Sequence, residues 1–431
     1  MSFGRCCSLS RALTLSVLTF PVLLMKEYFD VVIVGGGMVG AAVACCLGDS
    51  ELRVALIETQ TPQPFSIEQP HDLRVSALSI ASMNILNTVG AWEGVSSKRF
   101  CPFKRMRVWE YAGDTTFNSN DIDCPELGFI VENRVTQLAL LGRVAAFSNI
   151  KLFMPAAIDK IFYNGKDSEL VLTDGFSLQA KLLVAADGGQ SRVRQAVGIG
   201  VTGWDYNQHA LVIYVETAYP QQDITWQRFV ASGPQAFLPL SGNYASLVWY
   251  HSPDEVRRLK ALPYETLKSE LMAAFPDTLG EIKQILGVSS FPLKRQHAQQ
   301  YVKEGVALVG DAAHMINPLA GQGVNIGLLD AAALAEVVVD AHKQGKDFAE
   351  TRVLKRYESM RRRENLKMMT VMDVFYQSFS NDLLPIKLIR NLGLGLAQRL
   401  PPIRNKVMRT AMGLEGGFLP KLAKGQKLRA G

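Results

Sequence analysis

Continuous apolar runs mark the strands of the first half of the chain. Asp30-Val31-Val32-Ile33-Val34 is apolar after a single acid, and Arg53-Val54-Ala55-Leu56-Ile57 repeats the pattern. Runs of this kind read as parallel strands buried on both faces. Leu182 to Ala186 and Val306 to Val309 are two more. Between the first two, Ala41 to Leu47 is small and helical, and a longer small-residue helix is predicted over Val324 to Val339. From about residue 200 to 300 the texture changes. Ala210 to Val215, Trp226 to Val230 and Ser246 to Tyr250 read as antiparallel strands, with turns at Gly233-Pro234 and Ser241-Gly242-Asn243. From about 350 to 413 the pattern is helical. It is polar around Arg361-Arg362-Arg363 and mixed further on, where Phe375, Phe379, Leu383, Leu384 and Ile386 alternate with Lys387, Arg390, Arg399, Arg404, Lys406 and Arg409.

Length and composition narrow this to an ordinary globular protein. The 431 residues imply two to three domains at about 150 residues each. With 48% hydrophobic and 20% charged residues, disordered and collagen-like classes are excluded. The six cysteines (Cys6, Cys7, Cys45, Cys46, Cys101 and Cys124) include no C-x-x-C pair, so no metal site is expected and the usage fits a reducing, cytoplasmic compartment. Charge is uneven. Residues 351–431 hold 17 of the 46 Lys+Arg but only 5 of the 40 Asp+Glu, which leaves 29 against 35 in the rest. A basic tail on a mildly acidic body reads either as a docking surface for something anionic or as a solvated helical face. Arg5 and Arg11 precede a 13-residue apolar stretch, Ala12 to Leu24, broken by Pro21. It is too short to span a bilayer and carries no small-x-small cleavage site, so translation is expected to start at Met25.

The turn after the first strand, Gly35-Gly36-Gly37-Met38-Val39-Gly40, is a G-x-G-x-x-G that opens a helix. Gly35 allows the tight turn, Gly37 lets the backbone approach a pyrophosphate, and Gly40 permits close helix–strand packing. Free N–H groups and the positive dipole end then face the phosphates. Glu58 ends the second strand 18 residues beyond Gly40, placed to accept ribose hydroxyls. This unit suits NAD and FAD equally. A second element, Gly310-Asp311 followed by Pro318 and by Gly321-Gln322-Gly323-Val324-Asn325, favours flavin. The carboxylate after a strand can hold a ribitol chain, and a glycine-rich helix start can place N–H groups against the ring, stabilising the charge of the reduced form. Asp187-Gly188, between the two, is by itself only a strand–turn–helix boundary.

Together these three stretches resemble the group A flavoprotein aromatic hydroxylases, relatives of para-hydroxybenzoate hydroxylase, from about residue 28 to 413. His71 to Ser79 (HDLRVSALS), Gly128 to Asn133 (GFIVEN) and GDAAHMINPLAGQGVN resemble the branch acting in ubiquinone biosynthesis. Thr225 to Phe229, Ala245 to Tyr250, Arg295 to Ala298 and Asn391 to Leu394 are similar to hydroxylases of the demethoxyubiquinol ring. The resemblance implies an α/β fold with a Rossmann-type FAD-binding domain, an inserted mixed or antiparallel substrate sheet and a C-terminal helical region. The expected divisions are 1–24 (extension), 28–200 and 301–345 (FAD-binding), 201–300 (substrate sheet), 346–413 (helical) and 414–431 (loose basic tail).

The resemblance further implies a monooxygenase with FAD as cofactor and NAD(P)H and O2 as co-substrates. Asp187 and Gly188 are then expected at FAD and the transient NAD(P)H, Gly310 and Asp311 at the ribitol, and Pro318, Gly321, Gly323, Val324 and Asn325 beside the ring. Arg74 and Asn133 are expected as further flavin contacts. No general base is assigned; His314, Pro318 and Phe237 are the positioning candidates, and core roles compete for His314 and Phe237. The implied substrate is a lipophilic polyprenyl quinol. Peripheral contact with the inner membrane through the basic C-terminal helices, and membership of a ubiquinone-biosynthesis complex, follow as expectations; nucleic acid does not. A flavin reductase or oxidase of an isoprenoid substrate, and a non-enzymatic flavoprotein, remain the alternatives on the same scaffold.

Overall fold

The computed structural model describes residues 26–110, 113–317, 321, 323–379, 400–415 and 417–428. The expected extension at 1–24, Pro318 and the helical stretch between 380 and 399 lie outside these residues. In chain order the elements are β1 (Lys26–Val34), α1 (Met38–Cys46), β2 (Val54–Ile57), β3 (Val75–Ser79), α2 (Ile80–Thr88), α3 (Trp92–Ser96), β4 (Cys101–Phe103), β5 (Arg105–Trp109), β6 (Asp114–Asn118), β7 (Gly128–Glu132), α4 (Asn133–Val144), β8 (Ile150–Phe153), β9 (Ile158–Tyr163), β10 (Ser168–Leu172), β11 (Ser177–Ala185) and α5 (Arg192–Ala196). They continue with β12 (Val201–Thr217), β13 (Ile224–Arg228), β14 (Gln235–Pro239), β15 (Tyr244–His251), α6 (Pro253–Ala261), α7 (Tyr264–Ala274), β16 (Ile282–Ala298), β17 (Val302–Lys303), β18 (Val306–Leu308), β19 (His314–Met315), α8 (Gly323–Lys343), α9 (Thr351–Phe379) and α10 (Pro401–Ala411).

One sheet runs β17-β18-β11-β1-β2-β8, with β10 and β9 as an antiparallel flap on β11. Its central strands are parallel, and Val31, Val32 and Ile33 are fully buried, so both faces of the sheet are covered. The small residues of α1 and α8 let these two helices approach closely; a Cβ on Gly327 would lie 2.6 Å from a Val39 methyl. A second sheet runs β19-β16-β12-β15-β14-β13-β5-β6, and β3-β7-β4 form a third. The second sheet therefore extends beyond 201–300, taking β5 and β6 from the first part of the chain and β19 from after it. Such long-range pairing leaves no local mark in sequence.

The end of the chain also departs from expectation. Residues 417–428 are not a loose tail. Leu422 and Ala423 are buried against α2 and α8, the Lys421 amide donates to Glu336 at 3.0 Å, and Asn84 donates to the Ala423 carbonyl at 3.1 Å. Two apolar side chains among lysines suffice to dock a short turn on the core.

Candidate functional site

The register of the parallel sheet brings the three sequence motifs together. Val34 pairs with Ala185 and with Ile57, and Ala185 pairs with Leu308. The strands end level, so Gly35–Gly37, Glu58, Asp187-Gly188 and Gly310-Asp311 emerge side by side at the carboxyl edge, where open α/β sheets bind ligands. Contact here is tight. Gly35 has φ +103°, and a Cβ on it would lie 2.4 Å from the Ala186 carbonyl oxygen; one on Gly40 would lie 1.8 Å from the Gly35 oxygen. Gly37, which caps α1, has open space where its side chain would be. The first turn of α1 contains no acid, so an uncovered helix N-terminus faces that space. Glu58 is held at the rim by the amides of Gly36 (2.7 Å) and Gln60 (2.9 Å).

The second and third turns are strapped together. Asp187 accepts the Val193 amide at 3.2 Å, while its other carboxylate oxygen is buried with no partner among the described residues. Arg194, buried, donates to the carbonyls of Gly189 (2.8 Å) and Ala312 (2.9 Å), joining the Asp187 turn to the Asp311 turn. Asp311 is open to solvent, yet protein groups crowd around its carboxyl. Crowding raises its pKa, and His314 and Arg74 oppose the rise. Arg74 thus lies near enough to be felt by Asp311, and its guanidinium forms no hydrogen bond among the described residues.

The remaining predicted residues frame the cleft. Asn133 starts α4; its amide donates to the Arg74 carbonyl at 3.0 Å, and its side chain accepts from Ser76 at 2.7 Å. Asn325 is committed to the joint between α8 and β3: it accepts from the Ser79 amide (2.9 Å) and Ser82 hydroxyl (2.8 Å) and donates to the Ala77 carbonyl (2.8 Å). Gly321 lies against Ala77, and Gly323 opens α8 with free space around it. Val324 follows, half-buried.

His314 does not face the cleft. Its Nε2 pairs with Asp330 at 2.5 Å inside a polar cluster beneath the Gly310 turn. Asp330 is fully buried and also accepts from Arg361 Nε (2.8 Å), Asn365 (3.0 Å) and the Gly310 amide (3.3 Å). Burial alone would raise its carboxyl, but His314 and Arg361 outweigh that and hold it at about 2. Gln137 is a further residue absent from the sequence reading. It lies one turn beyond Asn133 and donates to the Gly36 carbonyl at 2.9 Å.

The second sheet has one fully buried face and one half-buried apolar face. Leu211, Trp226, Phe237, Leu247 and Trp249 are buried with residues of α6 and α7. Phe237 is 1% exposed and stacks on Trp226 at 5.5 Å, so this positioning candidate is a core residue of the sheet. The alternation of β14 turns Leu238 the other way. Met106, Val108, Leu238, Tyr244 and Val248 on that opposite face stay half-buried. Leu73, Val75 and Ala77, on the segment that carries Arg74, pack against the same cluster. This half-buried apolar face therefore adjoins the segment that carries Arg74. Phe237→Ala is expected to cost about 3–5 kcal/mol of stability with KM unchanged. Leu238→Ala is expected to raise KM with little loss of stability; urea unfolding and steady-state kinetics on both variants check the assignment of faces.

The donor set suits a dinucleotide with a polyhydroxyl chain: an open helix N-terminus, an acid at the second strand, an orphan carboxylate oxygen and a cleft carboxylate. Residues 28–371 match a family model described as an FAD binding domain. The chain belongs to this FAD-binding family. Among its relatives is 3-demethoxyubiquinol 3-hydroxylase of Escherichia coli, 42% identical over 89% of this chain and 98% of that one. The human ubiquinone biosynthesis monooxygenase COQ6 is 33% identical, covering 88% and 92%. Ubiquinone hydroxylase UbiL of Rhodospirillum rubrum is 36% identical, covering 93% of each. The fold is shared with p-nitrophenol 4-monooxygenase of Pseudomonas putida (TM-score 0.74, 19% identity, 91% of this chain and 99% of that one). As a member of this family the chain is an FAD-dependent monooxygenase.

Proposed function

We propose that the protein hydroxylates the aromatic ring of a polyprenylated benzoquinol in ubiquinone biosynthesis, at the demethoxyubiquinol step, consuming NAD(P)H and O2. The observation that carries this reading is the half-buried apolar face of the second sheet packing against Leu73 to Ala77, the segment that carries Arg74 beside Asp311. FAD, when bound, supplies hydride uptake and oxygen activation. The chain's residues bind, orient and exclude water. The α1 N-terminus and Gly37 would take the pyrophosphate, Glu58 the ribose, Asp187 and Arg74 the phosphate-proximal groups, and Asp311 the ribitol hydroxyls. The α8 start at Gly323 to Asn325 would meet the ring. Met106, Val108, Leu238 and Val248 would hold the substrate ring in a dry site, which keeps reactive oxygen from water.

The test is turnover of a short-prenyl demethoxyubiquinol with isotopic O2. Labelled oxygen in the ring, with NAD(P)H oxidation stimulated by substrate, is expected. Stimulated oxidation with no label in the product would favour the reductase or oxidase alternative and end this reading.

A lipid-soluble substrate supports a cytoplasmic enzyme in peripheral contact with the inner membrane, within an assembly of ubiquinone-biosynthesis proteins. Among the described residues no helix is long and apolar enough to cross a membrane. Helix α10 buries Met408 against the body and leaves Lys406 and Val407 exposed, a basic-apolar face suited to an interface. Binding to anionic vesicles is expected to exceed binding to neutral ones at least tenfold at low salt and to weaken as salt rises. Co-sedimentation checks this, and equal binding to both lipids would refute it.

A further inference from the structure

Helix α9 buries polar residues that a solvated helix would expose. Arg361, Asn365, Met369 and Asp373 recur at every fourth position and so share one face. All four are 8% exposed or less. Along that face the contacts change from one part of the molecule to another. Arg361 and Asn365 bond to Asp330, the carboxylate that also accepts the Gly310 amide in the turn carrying Asp311. Met369 packs with Ile316, just after β19, and with Ile326, in the first turn of α8. Asp373 reaches the second sheet, where it pairs with Arg295 of β16 at 2.6 Å and accepts the Tyr206 hydroxyl of β12. Arg295 is 9% exposed, and the ring of its cross-strand neighbour Trp204 lies 4.2 Å from its guanidinium carbon. Beside this pair, Met372 and Tyr376 pack on the cluster of Phe229 and Tyr250, which Val108 and Val248 of the half-buried apolar face also join.

One helix face is thus fixed at one end to the cofactor turn and at the other to the second sheet. Arg361 and Asp373 are twelve residues apart, about 18 Å along the axis. The backbone pairing that leads from the Gly310 turn into the second sheet is short: β19 meets β16 only at Met315–Gln296 and His314–His297. So short a ladder leaves the sheet free to rock on it, and a helix fixed at both ends removes that freedom. The use of an ion pair for the outer fixing is informative. Apolar residues of similar volume commonly stabilise a buried site as well or better, but they do not set a direction, and a charge pair with a hydroxyl on the same carboxylate does.

We propose that Asp373 and Arg295 are positioning residues: acting through α9, they set the distance and angle between the substrate sheet and the cofactor turn. This rests on the hydroxylase reading above. In aligned turnover one atom of O2 enters the ring and the other leaves as water, at the expense of one NAD(P)H and one proton. In misaligned turnover the same NAD(P)H, proton and O2 give NAD(P)+ and H2O2, and the ring is unchanged. A displacement of about 1 Å can cost on the order of 100-fold in a reaction that depends on alignment, while hydride uptake by the cofactor does not depend on where the substrate sheet stands.

Two variants test this in the FAD-loaded enzyme with a short-prenyl demethoxyubiquinol. Asp373→Asn removes the charge pair and leaves Arg295 buried alone. The double variant Arg295→Met/Asp373→Asn leaves no charge unpaired and keeps an acceptor for Tyr206, so it guards against a simple loss of stability. Both are assayed well below their thermal midpoints. Each is expected to keep its FAD content and its substrate-stimulated NAD(P)H oxidation within about threefold of wild type. The share of NAD(P)H recovered as hydroxylated product should fall by about fivefold or more, with H2O2 making up the difference. A product share within twofold of wild type in the folded double variant overturns the proposal, because a structural role alone would lower the midpoint without changing the partition. Should neither variant fold, hydrogen exchange of the wild-type enzyme decides. The amides from Arg361 to Asp373 should open as one unit with a common denaturant dependence, and independent opening of the two ends overturns the proposal. Wild-type enzyme that puts no oxygen into product sinks the hydroxylase reading itself, whereas well-coupled wild type with equally well-coupled variants sinks only the positioning role.

Discussion

Replacing Asp311 by alanine is expected to yield a folded, colourless protein. Asp311 projects into the cleft between the strapped turns, with Arg74 within electrostatic reach. Hydrogen bonds from hydroxyls to a carboxylate contribute about 1.5–3 kcal/mol each. Losing two should weaken FAD binding by a factor on the order of 10² to 10⁴, enough to strip it during purification. The fold should not suffer. Crowding raises the Asp311 pKa in the folded protein. A carboxyl with a raised folded pKa favours the native state while protonated, at low pH, and loses that contribution as pH rises through the folded value. At neutral pH the ionised group therefore opposes folding of the cofactor-free protein, so Asp311→Ala should melt at the same temperature as the apoprotein or higher. Flavin absorbance of the purified variant and its thermal midpoint test both halves. A variant that stays fully yellow would contradict the ribitol role, and one that unfolds would contradict the cleft placement. The cost of a strained carboxylate in the apoprotein, recovered on binding, is the usual signature of a site built for a ligand.

The turns were legible in sequence because each is a glycine or acid directly after an apolar run, and such punctuation is local. Their convergence was not, because the pairing of Val34 with Ala185 and of Ala185 with Leu308 joins strands about 150 and 120 residues apart. The error at Phe237 has the same origin. Phe237-Leu238-Pro239-Leu240 is apolar at every position, so the run carries no phase, and a shift of one residue exchanges the two faces. Arg361 and Asp330 were hidden for a different reason. A charged residue in a helix reads as a solvated face unless its partner is known, and here the partners come from α8 and α9, 31 residues apart.

The second large effect belongs to that hidden pair. Asp330→Ala is expected to destabilise the protein by about 3–5 kcal/mol, because it leaves Arg361 buried without its counter-charge. It should also weaken FAD binding, since the Gly310 amide and His314, which fix the turn carrying Asp311, both bond to the deleted carboxylate. Asp330→Asn separates the two contributions. An amide oxygen can still accept from Arg361 or Gly310 but carries no charge, so the asparagine variant should recover more of the FAD affinity than of the stability. Acid unfolding supplies an independent check with a definite sign. The Asp330 carboxyl is depressed from an ordinary 3.8 to about 2 in the folded protein. Its stabilisation, on the order of 2 kcal/mol, is complete above pH 4–5 and is lost as pH falls towards 2. Wild type should therefore lose stability over that window, and Asp330→Asn should show a shallower slope there. Urea midpoints between pH 2 and pH 6 measure the difference. Parallel slopes would mean that the carboxylate titrates alike in both states, and the cluster under Gly310 would then be no more than packing.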